Sequence, residues 1–348
     1  MTKIALVLFN LGGPDVPTAI EPFLFNLFND PAIISLPGIL RYPLAKLIAR
    51  RRAPIARDIY ARLGGGSPLL ANTEAQARAL EASLRNIGEL RCFVAMRYWR
   101  PFIEDAAAAA KAFAPDRIVL LPLYPQFSTT TTGSSWRAWK RAQRRVGLQA
   151  PTTLVCCYPR EPGFITAIAD RLRDAFAQLP ATASPRVLFS AHGLPKRIVV
   201  RGDPYRWQVE QSCAAVVATL GRRDLDWRIC YQSRVGRLEW IGPGTDAEIE
   251  QAGRDGVPVI VVPIAFVSEH SETLVELDME YAALAKRSGV PVYIRVPTVS
   301  TLPPFIAGLA GLVRGALAAP GALRSGEGRR LCPDDRRCCA MRELISPR

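Results

Sequence analysis

Histidine is nearly missing from this chain, with two in 348 residues, so any imidazole chemistry falls to His192 or His270. No apolar stretch reaches the roughly 18 charge-free residues that a bilayer crossing needs; "IAGLAGLVRGALAAPGAL" is broken by Arg314. The opening "MTKIALVLFNLGGPD" lacks a small-residue cleavage site, and Gly12-Gly13-Pro14-Asp15 reads as a turn after a strand, so a cytoplasmic protein is expected. In that compartment the eight cysteines are expected to be reduced thiols or metal ligands. The chain has no pair of C-x2-C knuckles, which sets a zinc ribbon aside. "LGGGSP" at 63–68 is not a G-x-G-x-x-G opening a helix after a strand, so it gives little support to dinucleotide binding. Acids are outnumbered 31 to 45 by lysine and arginine, and a net charge of +14 calls for an acidic partner. The aromatics are not interleaved with the basic run as a stacking surface requires, so nucleic acid is not expected.

What remains is the composition of a globular protein, 49% hydrophobic and 22% charged. Short apolar runs alternate with helical patterns, which predicts parallel sheets built from βαβ units. The clear strands are "KIALVLF", "RCFVAMRY", "RIVLLPLY", "PRVLFSAH", "WRICYQS" and "PVIVVPIAF". They fall into two sets of three, and the third run of each set carries a proline near its end, then polar residues with serine. This weak repeat predicts an α/β fold of two similar halves, 1–165 and 166–323, followed by a cysteine-bearing tail, 324–348. An insertion over 16–68 mixes Phe23, Phe25, Phe28, Ile39 and Leu40 with a basic run that includes Arg62. It reads either as a capping subdomain or as an apolar lip with a basic rim suited to a membrane surface or a large hydrophobic anion.

Ligands of parallel α/β folds bind beyond the carboxyl ends of strands, and both histidines lie there. His192 ends "RVLFSAH" and His270 ends "PVIVVPIAFVSEH". A lone histidine is more often structural than reactive; equivalent placement in two repeats argues for function. Five carboxylates follow: Glu269, Glu272, Glu276, Asp278 and Glu280. A helix starting near Ser271 puts Glu272 and Glu276 on one face, suited to delivering a cation or removing protons. The helix dipole explains acids at the start of such a helix but not Glu276 a turn later. In the tail, Cys332, Cys338 and Cys339 are spaced C-x5-C-C, and an iron–sulfur cluster there needs a fourth thiolate. "LVCCYPR" offers Cys156 or Cys157, which strand alternation would point to opposite faces. Cys92, Cys213 and Cys230 read as buried small hydrophobes. "YPQFSTTTTGSS" is either an anion-binding loop or an N-capped helix start.

Together "LVLFNLGGP", "YARLGGGSPL", "MRYWRPFIEDA", "LYPQFSTTTTGSS", "LFSAHGLP", "RGDPY", "YQSRVGRLEWIGP" and "VPIAFVSEHSETLVELDMEY" resemble the ferrochelatase family, from residue 5 to about 281. The resemblance implies two Rossmann-like domains with parallel sheets and a porphyrin cleft between them. It implies insertion of ferrous iron into protoporphyrin IX, with coproporphyrin as another substrate to weigh and a non-catalytic haem or metal carrier as a rival. It makes His192 the metal-site histidine and proton acceptor opposite Glu272, with Glu269, His270 and Glu276 as a polar path behind. Arg97, Tyr98 and Trp240 match residues lining the macrocycle, and Arg62 is a candidate to steer propionates. The tail resembles the extension that holds a 2Fe–2S centre. The "YPQ" loop has Thr129 about where animal members have a cysteine, so the fourth ligand is expected elsewhere; the resemblance to microbial members points to "VCCYP", and Cys157 is taken over Cys156. Peripheral contact with the inner face of the membrane through 23–40 is implied as well, and a homodimer is left open.

Overall fold

A computed structural model describes residues 2–234, 236, 238–319 and 321–342. Among them, nine strands form two parallel sheets: β1 (Lys3–Asn10), β2 (Glu89–Met96), β3 (Arg117–Pro122), β4 (Thr152–Val155), β5 (Arg186–His192), β6 (Trp227–Gln232), β7 (Val259–Pro263), β8 (Tyr293–Arg295) and β9 (Leu323–Arg324). The orders are β2-β1-β3-β4-β9 and β6-β5-β7-β8. Apart from the edge strand β9 they are the same order, with the first strand of each set flanked by the second and the third. The proline-terminated runs β3 and β7 occupy equivalent places, as the repeat predicts. Strands β1 and β7 are covered on both faces, which is why they read as unbroken apolar runs rather than alternating ones.

Contacts gather the chain into two compact units. One comprises residues 2–157, 309–330 and 340–342; the other comprises 158–308 and 331–339. The first unit regains the chain late because Leu323 and Arg324 of β9 pair with Leu154 and Val155 of β4. In the second unit a core of Leu188, Cys230, Ile249, Val259, Val261 and Leu277 packs strands against the covering helices.

The insertion folds as helices Ile20–Phe28 and Gly38–Ala61. Its apolar residues divide in a way the sequence did not anticipate. Phe23 and Leu24 pack inward with Ala49, Ala53 and Tyr60, and Phe25 and Phe28 lie against that cluster. Within 23–40 the large hydrophobics that face outward are Leu36, Ile39 and Leu40, and the exposed stripe continues along the helix through Tyr42 and Leu47. The apolar lip is thus centred on the start of the second helix, because the phenylalanines are used up in joining the two helices. No helix among the described residues is long and apolar enough to cross a membrane.

One buried carboxylate fastens this insertion to the sheet. Asp30 is 3% exposed and accepts from Arg97 Nη2 at 2.7 Å, Tyr98 Oη at 2.9 Å and the Ala32 amide at 2.8 Å. It also accepts from Ser134 Oγ, in helix Thr132–Val146. Burial alone would push its pKa up, but the Arg97 charge and these donors hold it below the ordinary 3.8. A depressed folded-state pKa means the stabilisation is complete above the unfolded value and is lost as pH falls through the folded one. Asp30→Asn is therefore expected to cost about 3 kcal/mol near neutral pH, since it strands a partly buried guanidinium. The gap to the parent should close as pH drops below 3.8; urea midpoints across that range check it, and a gap independent of pH refutes it.

Candidate active site

Strand β5 delivers His192 at its carboxyl end, between β6 and β7. This is the point where strand order reverses, and the crossovers leaving β5 and β7 diverge to open a crevice. Nδ1 of His192 lies 2.6 Å from the Gly193 carbonyl, which can only accept, so Nδ1 carries the proton. In the neutral ring Nε2 then keeps its lone pair, and Nε2 stands 3.7 Å from Glu272 Oε1. The ring of Trp240 closes in beside Gly193: a Cβ there would lie 3.2 Å from Trp240 Cε3. Gly193 thus lets the indole sit against the histidine's backbone.

The chain leaving β7 supplies the opposite wall. His270 Nε2 approaches Glu272 Oε2 at 3.8 Å, and its ring packs on Phe266 with centroids 4.8 Å apart. Glu272 therefore sits between both histidines of the chain. Burial opposes its ionisation, but charge on His192, with help from His270, holds its pKa at about 2. The charged form of the carboxylate is thereby favoured while the imidazoles are protonated, available to a cation or an imidazolium.

Glu272–Tyr281 is a π-helix, not the α-helix expected from Ser271 onward. Its hydrogen bonds close five residues along rather than four, so the widened turn still keeps Glu272 and Glu276 on neighbouring positions. Glu276 accepts from the Ser233 amide at 2.7 Å, Ser233 Oγ at 2.5 Å, Gln232 Nε2 at 3.1 Å and Tyr281 Oη at 3.2 Å. Burial, and then the charge of Glu272, push its pKa up.

Glu269, expected in the polar path, is also engaged by an arginine. Its Oε1 accepts from Arg295 Nη1 at 2.6 Å and from the Thr298 amide at 2.9 Å. Arg295 also grips Asp278 through Nε and Nη2. Despite burial, the Arg295 charge holds the Glu269 pKa low. Of the predicted acidic path, His270 adjoins Glu272, Glu276 follows along the same turn, and Glu269 meets an arginine.

Arg97, Tyr98 and Arg62 belong to the first unit. Tyr98 is 1% exposed with its hydroxyl on Asp30, and Arg97 shares that carboxylate. Arg62 is exposed at the end of helix Gly38–Ala61. Cys332, Cys338 and Cys339 lie in the 331–339 segment of the second unit, the first and last of them buried. Gln208 Nε2 donates to Cys332 Sγ at 3.2 Å, and the Cys338 amide donates to Gly202 O at 3.0 Å. Cys157 belongs to the first unit, beside Cys156, with sulfurs 3.6 Å apart. Strand β4 stops at Val155, so the alternation expected to separate these two thiols does not extend to them. Among the described residues no group of three or more His, Cys, Asp or Glu side chains is gathered closely enough to hold a metal ion. The donor type nonetheless suits a cluster: soft thiols, mostly buried, with an N–H aimed at one sulfur. Of the three cysteines expected to be buried, Cys213 and Cys230 are, and burial pushes the Cys230 thiol up to about 12, whereas Cys92 in the half-exposed strand β2 is only partly buried.

Asp30, Gln232, Ser233 and Arg295 were not singled out from sequence. The one available signal was the "YQS" at the end of β6, a strand-end motif of the same kind that marked His192.

The family model described as Ferrochelatase matches residues 3–317. The ferrochelatase of Caulobacter vibrioides (strain NA1000 / CB15N) is 54% identical over 348 residues, 99% of each chain. That of Phenylobacterium zucineum (strain HLK1) is 56% identical over 343 residues, 98% of each. The solved structure of SirB from Bacillus subtilis with Fe3+ has a TM-score of 0.55 over 91% of this chain and 96% of its own; at 13% identity it shows a shared fold only. On the full-length match to these relatives, the chain belongs to the ferrochelatase family, lyases that insert iron into porphyrin for haem synthesis.

Proposed function

We propose that the chain inserts ferrous iron into protoporphyrin IX to yield protohaem, the terminal step of haem biosynthesis, with His192 and Glu272 at the point of insertion. The observation that carries the residue assignment is the placement of Glu272 between two imidazoles, 3.7 and 3.8 Å away, at a strand-order reversal. Insertion requires the cation to shed water while two pyrrole N–H protons leave the macrocycle. A neutral His192 protonated at Nδ1 offers Nε2 as the acceptor of one of these protons, the other passing to solvent at this part-exposed ring, and an ionised Glu272 stabilises the imidazolium that forms. Before it takes a proton, the same Nε2, a borderline nitrogen, together with the hard Glu272 oxygen suits ferrous iron as substrate. Holding the porphyrin bent would expose its pyrrole lone pairs, a use of binding energy for distortion. Trp240, Arg97 and Tyr98 are read as residues along the macrocycle, and Arg62 as one that steers propionates.

The cysteines Cys157, Cys332, Cys338 and Cys339 are read as ligands of a 2Fe–2S centre. When bound, such a centre supplies one-electron chemistry, which metal insertion does not use. The reading is supported by the thiol donor set and the Gln208 N–H on Cys332. A cytoplasmic protein that touches the inner face of the membrane is the reading best matched to the exposed Ile39, Leu40, Tyr42 and Leu47 beside Lys46, Arg50 and Arg51.

Three outcomes are expected. With ferrous iron and protoporphyrin, loss of porphyrin fluorescence should slow by about 100-fold or more in His192→Ala and in Glu272→Ala while both stay folded; wild-type rates in either sink the assignment. Anaerobically purified protein should show the absorbance and Mössbauer signature of a 2Fe–2S centre, absent in Cys338→Ala; a colourless parent ends that reading. Flotation with anionic liposomes should carry the protein up at low salt, and Ile39→Glu with Leu40→Glu should abolish it; equal flotation of the variant removes the lip from the contact.

A further inference from the structure

Two neutral residues at the carboxyl end of β6, Gln232 and Ser233, donate four hydrogen bonds to the acidic turn. We propose that Gln232 and Ser233 are positioning residues for Glu272 and Glu276, an inference that rests on the reading of Glu272 as the acid at the point of insertion.

Gln232 has no exposed surface, and its amide is fully engaged. Oε1 accepts from Ser190 Oγ at 2.8 Å, while Nε2 donates to the Glu272 main-chain carbonyl at 2.9 Å and to Glu276 Oε2 at 3.1 Å. A carbonyl and a carboxylate only accept, so the orientation of this amide is fixed by chemistry. Ser190 in turn bonds Thr245 Oγ1 at 2.8 Å, and both are fully buried. The turn carrying Glu272 is thereby tied through one side chain to two adjacent strands, β5 and β6.

Ser233 works through its backbone as well. Its φ of +58° lies in the left-handed region, which a serine adopts at some cost. In that conformation its amide and its Oγ point the same way and meet the two oxygens of Glu276 separately, at 2.7 and 2.5 Å. An ordinary extended residue after β6 would turn one of these donors away. The strained backbone therefore has a specific product: a two-pronged clasp on the second acid of the turn. With Glu276 clasped and the Glu272 carbonyl held by Gln232, the Glu272 side chain has a fixed base from which to reach both imidazoles. A bland alternative is that these bonds merely stabilise the turn.

The variants Ser233→Ala and Ser233→Gly separate the two. Both lose Oγ, but glycine is at ease at a φ of +58° whereas alanine keeps the strain. In the full chain with ferrous iron and protoporphyrin, both variants are expected to lower kcat by about tenfold, with the porphyrin KM within about twofold of the parent. The Gly variant should melt no lower than the Ala variant. If activity instead follows stability, with Ser233→Gly within twofold of the parent kcat, the positioning role is wrong. Should Ser233→Ala fail to fold, Ser233→Gly alone decides. Glu272→Ala run alongside keeps the levels apart: a fully active Glu272→Ala overturns the reading of the site itself, whereas an inactive one with an unimpaired Ser233→Gly overturns only this inference.

Discussion

Two parallel strands cannot be joined without crossing over a face of their sheet, and this rule decides where chemistry can happen in the second unit. With the order β6-β5-β7-β8, the chain leaves β5 toward one neighbour and reaches β7 on the other side. The crevice at that reversal is bounded by whatever residues end the flanking strands. Here they are His192 after β5, Gln232 and Ser233 after β6, and the His270–Glu276 turn after β7. The first unit obeys the same rule with β2-β1-β3, and the residues past β2 are Arg97 and Tyr98. A repeated topology has been loaded with different side chains, a cationic and hydroxyl-bearing pair in one copy and an imidazole–carboxylate group in the other.

Three glutamates of the acidic segment show how neighbours decide what a carboxyl group becomes. Glu269 meets a guanidinium and is held low; Glu272 meets two imidazoles and is held at about 2; Glu276 meets neutral donors and a like charge, and is pushed up. Burial acts against ionisation in all three, so the difference lies entirely in the partners. Only Glu272 combines a charge with partners that can themselves give up or take a proton. That combination, and not the density of acids, sets Glu272 apart from its neighbours and is the ground of the role proposed for it.

β1, β3, β5 and β7 were legible because each is a run of apolar residues buried on both faces, whereas β2 and β6 are buried only toward their carboxyl ends and were legible from shorter apolar runs. β8 and β9, of three and two residues, were missed because a short, half-exposed edge strand leaves no such pattern. His192, His270 and Glu272 were legible from scarcity and from position at strand ends. Ser233 was not, since its importance lies in a backbone angle that a serine does not announce. Asp30 was not, because its partners Arg97 and Ser134 are 67 and 104 residues away in sequence. The π-helix was read as α because ten residues hold too few turns for the two periods to separate. The phenylalanines of the insertion were read as a lip because composition cannot tell a residue that joins two helices from one that faces out.

Arg295 carries a further consequence. It ends the edge strand β8, yet it holds Glu269, just before the acidic turn, and Asp278, within it. The turn is thus a span anchored at two points by one guanidinium. Arg295 holds the π-helix at one point just before it and at another within it. The acidic turn is in this way tied, through one guanidinium, to a strand at the edge of the sheet. A change at that margin would reach the acidic turn through Arg295, with no residue of the turn itself having changed.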